Sequence, residues 1–144
     1  MRMTVEIHHL LFDNLPPVSR GQGIVNYPIA TKKQGAVNIH SGITRLPAGG
    51  VVPAHSHNAE EQVTVLEGRL RIVLNGVPHD CGPYDSTFIS AGVVHEFSAI
   101  GEEPAVAMVI YGSANVNRTF AETGETVVLG SDADKFPPDP ARLG

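Results

Sequence analysis

Gly49-Gly50-Val51-Val52-Pro53-Ala54-His55-Ser56-His57-Asn58-Ala59-Glu60-Glu61-Gln62-Val63-Thr64-Val65-Leu66-Glu67-Gly68 is the stretch whose reading decides the fold. Turn chemistry brackets it: Pro47-Ala48-Gly49-Gly50 at its start and Glu67-Gly68 at its end. Two runs lie between, Val51 to His57 and Glu61 to Leu66, separated by the polar break Asn58-Ala59. Runs this short, rich in Val and Thr and closed by breakers, read as strands. Side chains two apart on a strand share a face, so the imidazoles of His55 and His57 enter the same space. By itself such a pair also fits partly exposed surface histidines, and its neighbours must decide.

Outward from this stretch the strand pattern continues. Asn38 to Leu46 precedes it. Arg69 to Leu74 follows, roughly alternating polar and apolar residues up to Asn75-Gly76. An Asn-Gly pair between two such runs signals a two-residue hairpin, because both residues tolerate positive φ. Val77 to Asp80 returns, and Thr87 to Ser90, His95 to Ile100 and Ala105 to Tyr111 complete the series. With 15 Gly and 11 Pro, long helices have little room. The expectation is an all-β antiparallel sandwich or barrel, single because no internal repeat is present.

The ends differ from the middle. Residues 1-35 read as an N-terminal arm, with Val5 to Phe12 as a short helix or edge strand and Ile24 to Ile29 as an extra strand. Residues 36-112 form the barrel. Residues 113-144 hold a late strand at Thr126 to Leu129 and an extended tail through Lys135-Phe136-Pro137-Pro138-Asp139-Pro140, which the prolines bar from a sheet interior.

Composition excludes several classes. At 144 residues, 42% apolar and 17% charged, the chain is globular and long enough for one core. A net charge of −5 with ten scattered basic residues argues against a nucleic-acid partner. No apolar run reaches the length of a bilayer span, and Met1 to Leu15 lack the apolar core and cleavage site of a signal peptide. A single cysteine, Cys81, gives no internal disulfide, so a cytoplasmic location is expected. Without secretion, the glycosylation pattern Asn117-Arg118-Thr119 carries no meaning.

Chemistry gathers around the opening stretch. Glu61 stands four residues after His57, and Gly92-Val93-Val94-His95 puts a third histidine just past a glycine turn. Three imidazoles and one carboxylate on neighbouring strands form a nitrogen and oxygen set suited to a divalent first-row ion. Glu60 faces away on its strand, and Gln62 breaks the spacing to Gly68. His8 and His9 sit in the unplaced start, His40 has no partner in sequence and His79 lies near a turn, so each reads as a surface or edge residue. Cys81 reads as a small buried residue. Strand parity places Phe97 with His95, and Val63 and Val65 with Glu61, giving apolar pocket walls or ordinary core. The directions of Tyr84, Met108 and Tyr111 are not set by pattern.

Gly49 to Gly68 resembles the first cupin motif, G-x5-H-x-H-x3-E-x6-G, at every fixed position. The second, G-x5-P-x-G-x2-H-x3-N, is kept at Gly92 and His95. Tyr84, Ser90 and Ala99 stand where it has Gly, Pro and Asn. The stretch between the motifs, Arg69 to Pro83, is short, as in small bacterial members. The chain thus resembles a small bacterial single-domain cupin over residues 36 to 112. The resemblance implies a double-stranded β-helix (jelly-roll) barrel with His55, His57, Glu61 and His95 as the ligands of one divalent metal, whether Fe, Mn, Ni or Zn. The departures fall on turn and packing positions, away from the ligands.

Four ligands leave two positions on an octahedral ion for water, substrate or O2. The leading expectation is a metal-dependent enzyme acting on a small organic molecule, dioxygenase-like first. The alternatives are a sugar isomerase or epimerase, and a non-catalytic small-ligand or metal-binding module. Arg45, Arg69 and Arg71 are the only basic side chains near the pocket strands, and alternation does not clearly turn them inward, which disfavours a sugar phosphate. No organic cofactor and no further catalytic residue is assigned. A homodimer is expected, because exposed apolar sheet edges invite pairing.

Overall fold

Between residues 7 and 137, which the computed structural model describes, the chain runs through strands joined by short turns. These are β1 (Val18–Gly21), β2 (Ile24–Pro28), β3 (His40–Leu46), β4 (Val51–His57), β5 (Glu61–Glu67) and β6 (Leu70–Leu74). They continue with β7 (Val77–Cys81), β8 (Ser86–Ile89), β9 (His95–Ala99), β10 (Ala105–Tyr111), β11 (Asn117–Phe120) and β12 (Thr126–Val128). Two single 3₁₀ turns, Phe12–Asn14 and Lys32–Gln34, are the only helical pieces among the described residues. No helix there is long and apolar enough to cross a membrane.

The strands form two six-stranded sheets, ordered β1-β2-β3-β10-β5-β8 and β12-β11-β4-β9-β6-β7, with every pairing antiparallel. Consecutive strands β3, β4, β5 and β6 alternate between the sheets, as in the expected jelly roll. Ile24, Leu46, Val52, Val63, Val65, Leu70, Ile72 and Phe97 pack between the sheets as one buried cluster. Each such side chain contributes roughly 1.5–3 kcal/mol through loss of apolar surface to water.

The nine strands expected from Asn38 onward and the one at Ile24 are present, with ends shifted by a residue or two. Two were not read. Val18–Gly21 follows Pro16-Pro17 and includes an irregular register between Ser19 and Gly21, so its pattern is broken. Asn117–Phe120 is polar and short, and only its hairpin with β12 and pairing to β4 make it a strand. Of the expected element at Val5 to Phe12, the first two residues lie outside the described ones. Residues 7–11 are irregular and the helical turn begins only at Phe12.

The end of the chain is held more closely than its pattern suggests. The segment read as an extended tail lies against the barrel: Asp134 and Phe136 are both buried. The Phe136 ring sits under the Arg118 guanidinium, 4.7 Å from its centroid, and the Phe136 backbone N–H donates to the Arg20 carbonyl. Proline kept this segment out of the sheet but did not keep its one aromatic ring in water. Residues 138–144 of that tail lie outside the described residues.

Two turns show what the motif glycines do. Gly68 has φ +73°, and a Cβ there would run into the Pro104 carbonyl, so both conformation and space require glycine. Tyr84 occupies a motif glycine position and adopts the same left-handed region at φ 72°, with its side chain 82% exposed. The backbone shape is retained without the glycine because the ring has open solvent to enter.

Candidate metal centre

Three pairings bring the chemistry together. In one sheet, β4 carries His55 and His57, and β9 sets His95 directly across from His55. In the other, β5 carries Glu61, flanked by Ile89 on β8 and Tyr111 on β10. Glu61 thus reaches across the barrel from the sheet opposite the histidines. A register shift between Val52 and His55 lets two residues an odd number apart both point inward. Pro53, which has no N–H for the ladder, lies within this bulge.

The four side chains are buried, and one ligand atom from each lies within 4.8 Å of every other. Each imidazole is aimed by its backbone. His55 Nδ1 donates to the Pro53 carbonyl at 2.6 Å, His57 Nδ1 to Asn117 at 2.8 Å and His95 Nδ1 to Val93 at 2.8 Å. A carbonyl only accepts, so each Nδ1 carries hydrogen and each neutral ring turns its Nε2 lone pair inward. His95 Nε2 then lies 2.9 Å from Glu61 Oε1, and His57 Nε2 lies 3.4 Å from it. Acceptors packed against a carboxylate repel unless something positive lies among them. The three Nε2 atoms and both Glu61 oxygens have no hydrogen-bond partner. One cation serves all of them at once, so the donor set fits a metal ion.

The electrostatics favour the ligand forms. Burial pushes the His55 imidazole well below its ordinary range, with Arg118, His95 and His57 adding to the effect. Burial brings His57 down to about 4, opposed by Glu61 and assisted by Arg118. Burial acts to raise the Glu61 carboxyl, but the charged surroundings, Arg118 among them, hold the group below its usual value. Neutral imidazoles and an ionised carboxylate are what a divalent ion requires.

A cavity of about 40 Å³ opens beside Glu61. Its apolar walls include Val63 and Phe97, placed here by strand parity as expected, with Leu46, Val52 and Leu70. Tyr111 joins them: its ring lies 4.8 Å from that of His57, and burial beside the Glu61 charge pushes its hydroxyl pKa well up. Met108 sits on the opposite parity of β10, and Tyr84 points to solvent. Glu60 and Gln62 are exposed, as are Arg45, Arg69, Arg71 and His79, while Cys81 is buried.

Sequence reading missed a second group. Arg118, placed across from His57 in the β11–β4 pair, is buried and donates from Nε to Asp134 Oδ1 at 2.7 Å. Arg20 on β1 is buried nearby, and His40 is half-buried against the Tyr111 ring rather than at a free surface. The one local clue was the strand at Thr126, which needed an upstream hairpin partner and so implied a strand through Arg118.

Residues 42–111 match the family model described as Cupin domain. No curated protein sequence matches the chain. Among solved structures, a sugar phosphate isomerase from the cupin superfamily of Silicibacter pomeroyi is similar at TM-score 0.67 and 19% identity, covering 95% of this chain and 100% of its own. The polyketide cyclase RemF from Streptomyces resistomycificus reaches 0.68 at 18% identity, with 89% of both chains covered. Oxalate decarboxylase from Bacillus subtilis also reaches 0.68, at 21% identity, over 89% of this chain but only 33% of that one. At such identities these neighbours share the fold and nothing finer. Residues 42–111 are thus a Cupin domain, and the two facing antiparallel sheets are its fold.

Proposed function

We propose that His55, His57, Glu61 and His95 hold one divalent first-row transition ion, and that the chain is a metal-dependent enzyme acting on a small organic molecule. The observation that carries this reading is the convergence of three inward Nε2 atoms and two carboxylate oxygens, all buried and without hydrogen-bond partners. Dioxygenase-like chemistry is the leading form. A bound ion with free positions would supply Lewis acidity and, as Fe(II), a place for O2. The protein's own part is to aim the imidazoles through Pro53, Asn117 and Val93, and to wall the cavity with the apolar side chains of Val63, Leu70 and Phe97. A sugar isomerase fits less well. The cavity offers Thr44, Tyr111 and Arg118 as polar groups beyond Glu61, few for a ligand bearing hydroxyls all round.

The test begins with elemental analysis of protein purified without chelator. Near-stoichiometric first-row metal is expected, with affinity falling roughly 100-fold or more in His57→Ala, beyond the effect of losing an outer-shell partner. Unchanged metal in both His55→Ala and His57→Ala would remove the quartet. O2 uptake against small diketones, phenols and enols then separates enzyme from binding module. For any substrate found, Glu61→Gln loaded with the same metal should change turnover more than substrate affinity. Equal turnover would favour a structural or sensory ion.

A further inference from the structure

Next to the candidate metal centre lies a second cavity of about 40 Å³. Both cavities are lined by Thr44, Val109, Tyr111, Arg118 and Phe136, so they share a wall. The first is bounded by Glu61, the second by Arg20, Asp134 and His40. In the second, one of the two guanidinium groups has no carboxylate partner. Asp134 uses Oδ1 for Arg118 Nε at 2.7 Å and Oδ2 for the Gly130 N–H at 2.9 Å, so its carboxylate is committed. Arg20 is only 5% exposed and has no ion pair among the described residues. Its Nη1 is buried with no hydrogen-bond partner. Burial draws its pKa down, Asp134 opposes and Arg118 adds to the fall, yet a guanidinium stays charged at any working pH. Burial likewise lowers the His40 pKa, with Arg20 assisting and Asp134 opposing, which disfavours a further positive charge there.

Arg118 has Asp134 at 2.7 Å and the Glu61 charge beside it, which leaves Arg20 as the buried guanidinium with no carboxylate paired to it. A buried charge without a partner is costly, so its Nη1 is a ready donor for an anion. Arginine is the side chain suited to a planar carboxylate, because its N–H groups match the two oxygens.

We infer that the Arg20–Arg118 cavity is an anion subsite that receives the carboxylate of a small organic acid whose remainder faces the His55–His57–Glu61–His95 quartet. The inference rests on the metal-centre reading only for what happens at the far end of that acid. The carboxylate contact belongs to Arg20 itself, with Arg118 held in place by Asp134 and the Phe136 ring.

The test is calorimetric titration of malonate, with dimethyl malonate and inorganic phosphate as comparison probes, into metal-free and metal-loaded protein. Malonate is expected to bind both forms, while the neutral ester binds neither. Arg20→Met should weaken malonate roughly ten- to hundredfold, the worth of a charged hydrogen bond, with metal content unchanged. Arg20→Lys, which keeps the charge, should lie between, and it stands in for Arg20→Met if that variant does not fold. Phosphate binding as tightly as malonate, with the same dependence on Arg20, would overturn the carboxylate assignment. So would ester binding equal to acid binding, or an Arg20→Met affinity equal to wild type. Malonate bound only when metal is loaded, and indifferent to Arg20, defeats the subsite and leaves the metal centre standing. Malonate bound through Arg20 in a protein that fails to take up any first-row metal when it is supplied does the reverse.

Discussion

The quartet and the arginine cluster occupy one barrel interior, share a wall and ask for opposite charges. At the quartet, three backbone carbonyls fix the hydrogen of each imidazole on Nδ1, so lone pairs and a carboxylate converge. At the cluster, two buried guanidinium groups line one cavity with a single carboxylate, which pairs with Arg118 and leaves Arg20 unpaired. The first is electron-rich and suits a cation; the second is electron-poor and suits an anion. The two also differ in assembly. The quartet lies within 41 positions of sequence, whereas Arg20 and Asp134 come from opposite ends of the described chain. A site can therefore be locally encoded or encoded only by closure of the barrel, even when the two adjoin.

The sharpest way to break the comparison is Asp134→Ala. If the cluster is held by the buried Arg118–Asp134 pair, with Arg20 in the same field, removing the carboxylate breaks that pair, and stability should fall by roughly 3–5 kcal/mol. Denaturant unfolding measures this, and a loss below about 1 kcal/mol would mean that Asp134 holds nothing together.

The quartet answers to pH. In metal-free protein the His57 pKa falls from 6.5 to about 4 on folding. Above 6.5 neither state binds the proton and the contribution is complete. As pH falls from 6.5 to about 4, the unfolded chain takes up a proton that the native state refuses, and stability declines. The loss from His57 alone is roughly 3 kcal/mol at 1.36 kcal/mol per unit. His55, lowered further by burial, adds in the same direction. Unfolding curves at pH 7, 5.5 and 4 check it; a flat profile would show that the imidazoles are not held neutral. Bound metal should be released over the same fall in pH, since protons compete for Nε2.

A position belonging to neither region sets the scale for both. Tyr84 is left-handed at φ 72° with its ring in solvent, so Tyr84→Gly relieves backbone strain without losing packing. A gain of under about 1 kcal/mol is expected in thermal unfolding, with metal content unchanged. A loss would mean that the exposed ring has a contact of its own.

Sequence alone determined the strand series from His40 to Tyr111, because alternation and Gly, Pro and Asn turns are local properties. It also selected His55, His57, Glu61 and His95, since spacings of two and four on strands and a glycine before His95 survive without knowledge of the other sheet. It did not place Glu61 opposite the histidines; only the alternation of β4 and β5 between sheets does that. Nor could it place Tyr111, whose face follows from the β10 register against Glu61. Least legible were Arg20, Arg118, Asp134 and Phe136, which pattern treats as arm and tail. Their burial follows from long-range pairing of β11 with β4 and docking of Phe136 beneath Arg118, interactions that exist only after the barrel closes. Charge in a sequence reads as surface; tertiary structure alone decides when a guanidinium is enclosed, because the enclosure of Arg20 depends on partners more than a hundred residues away.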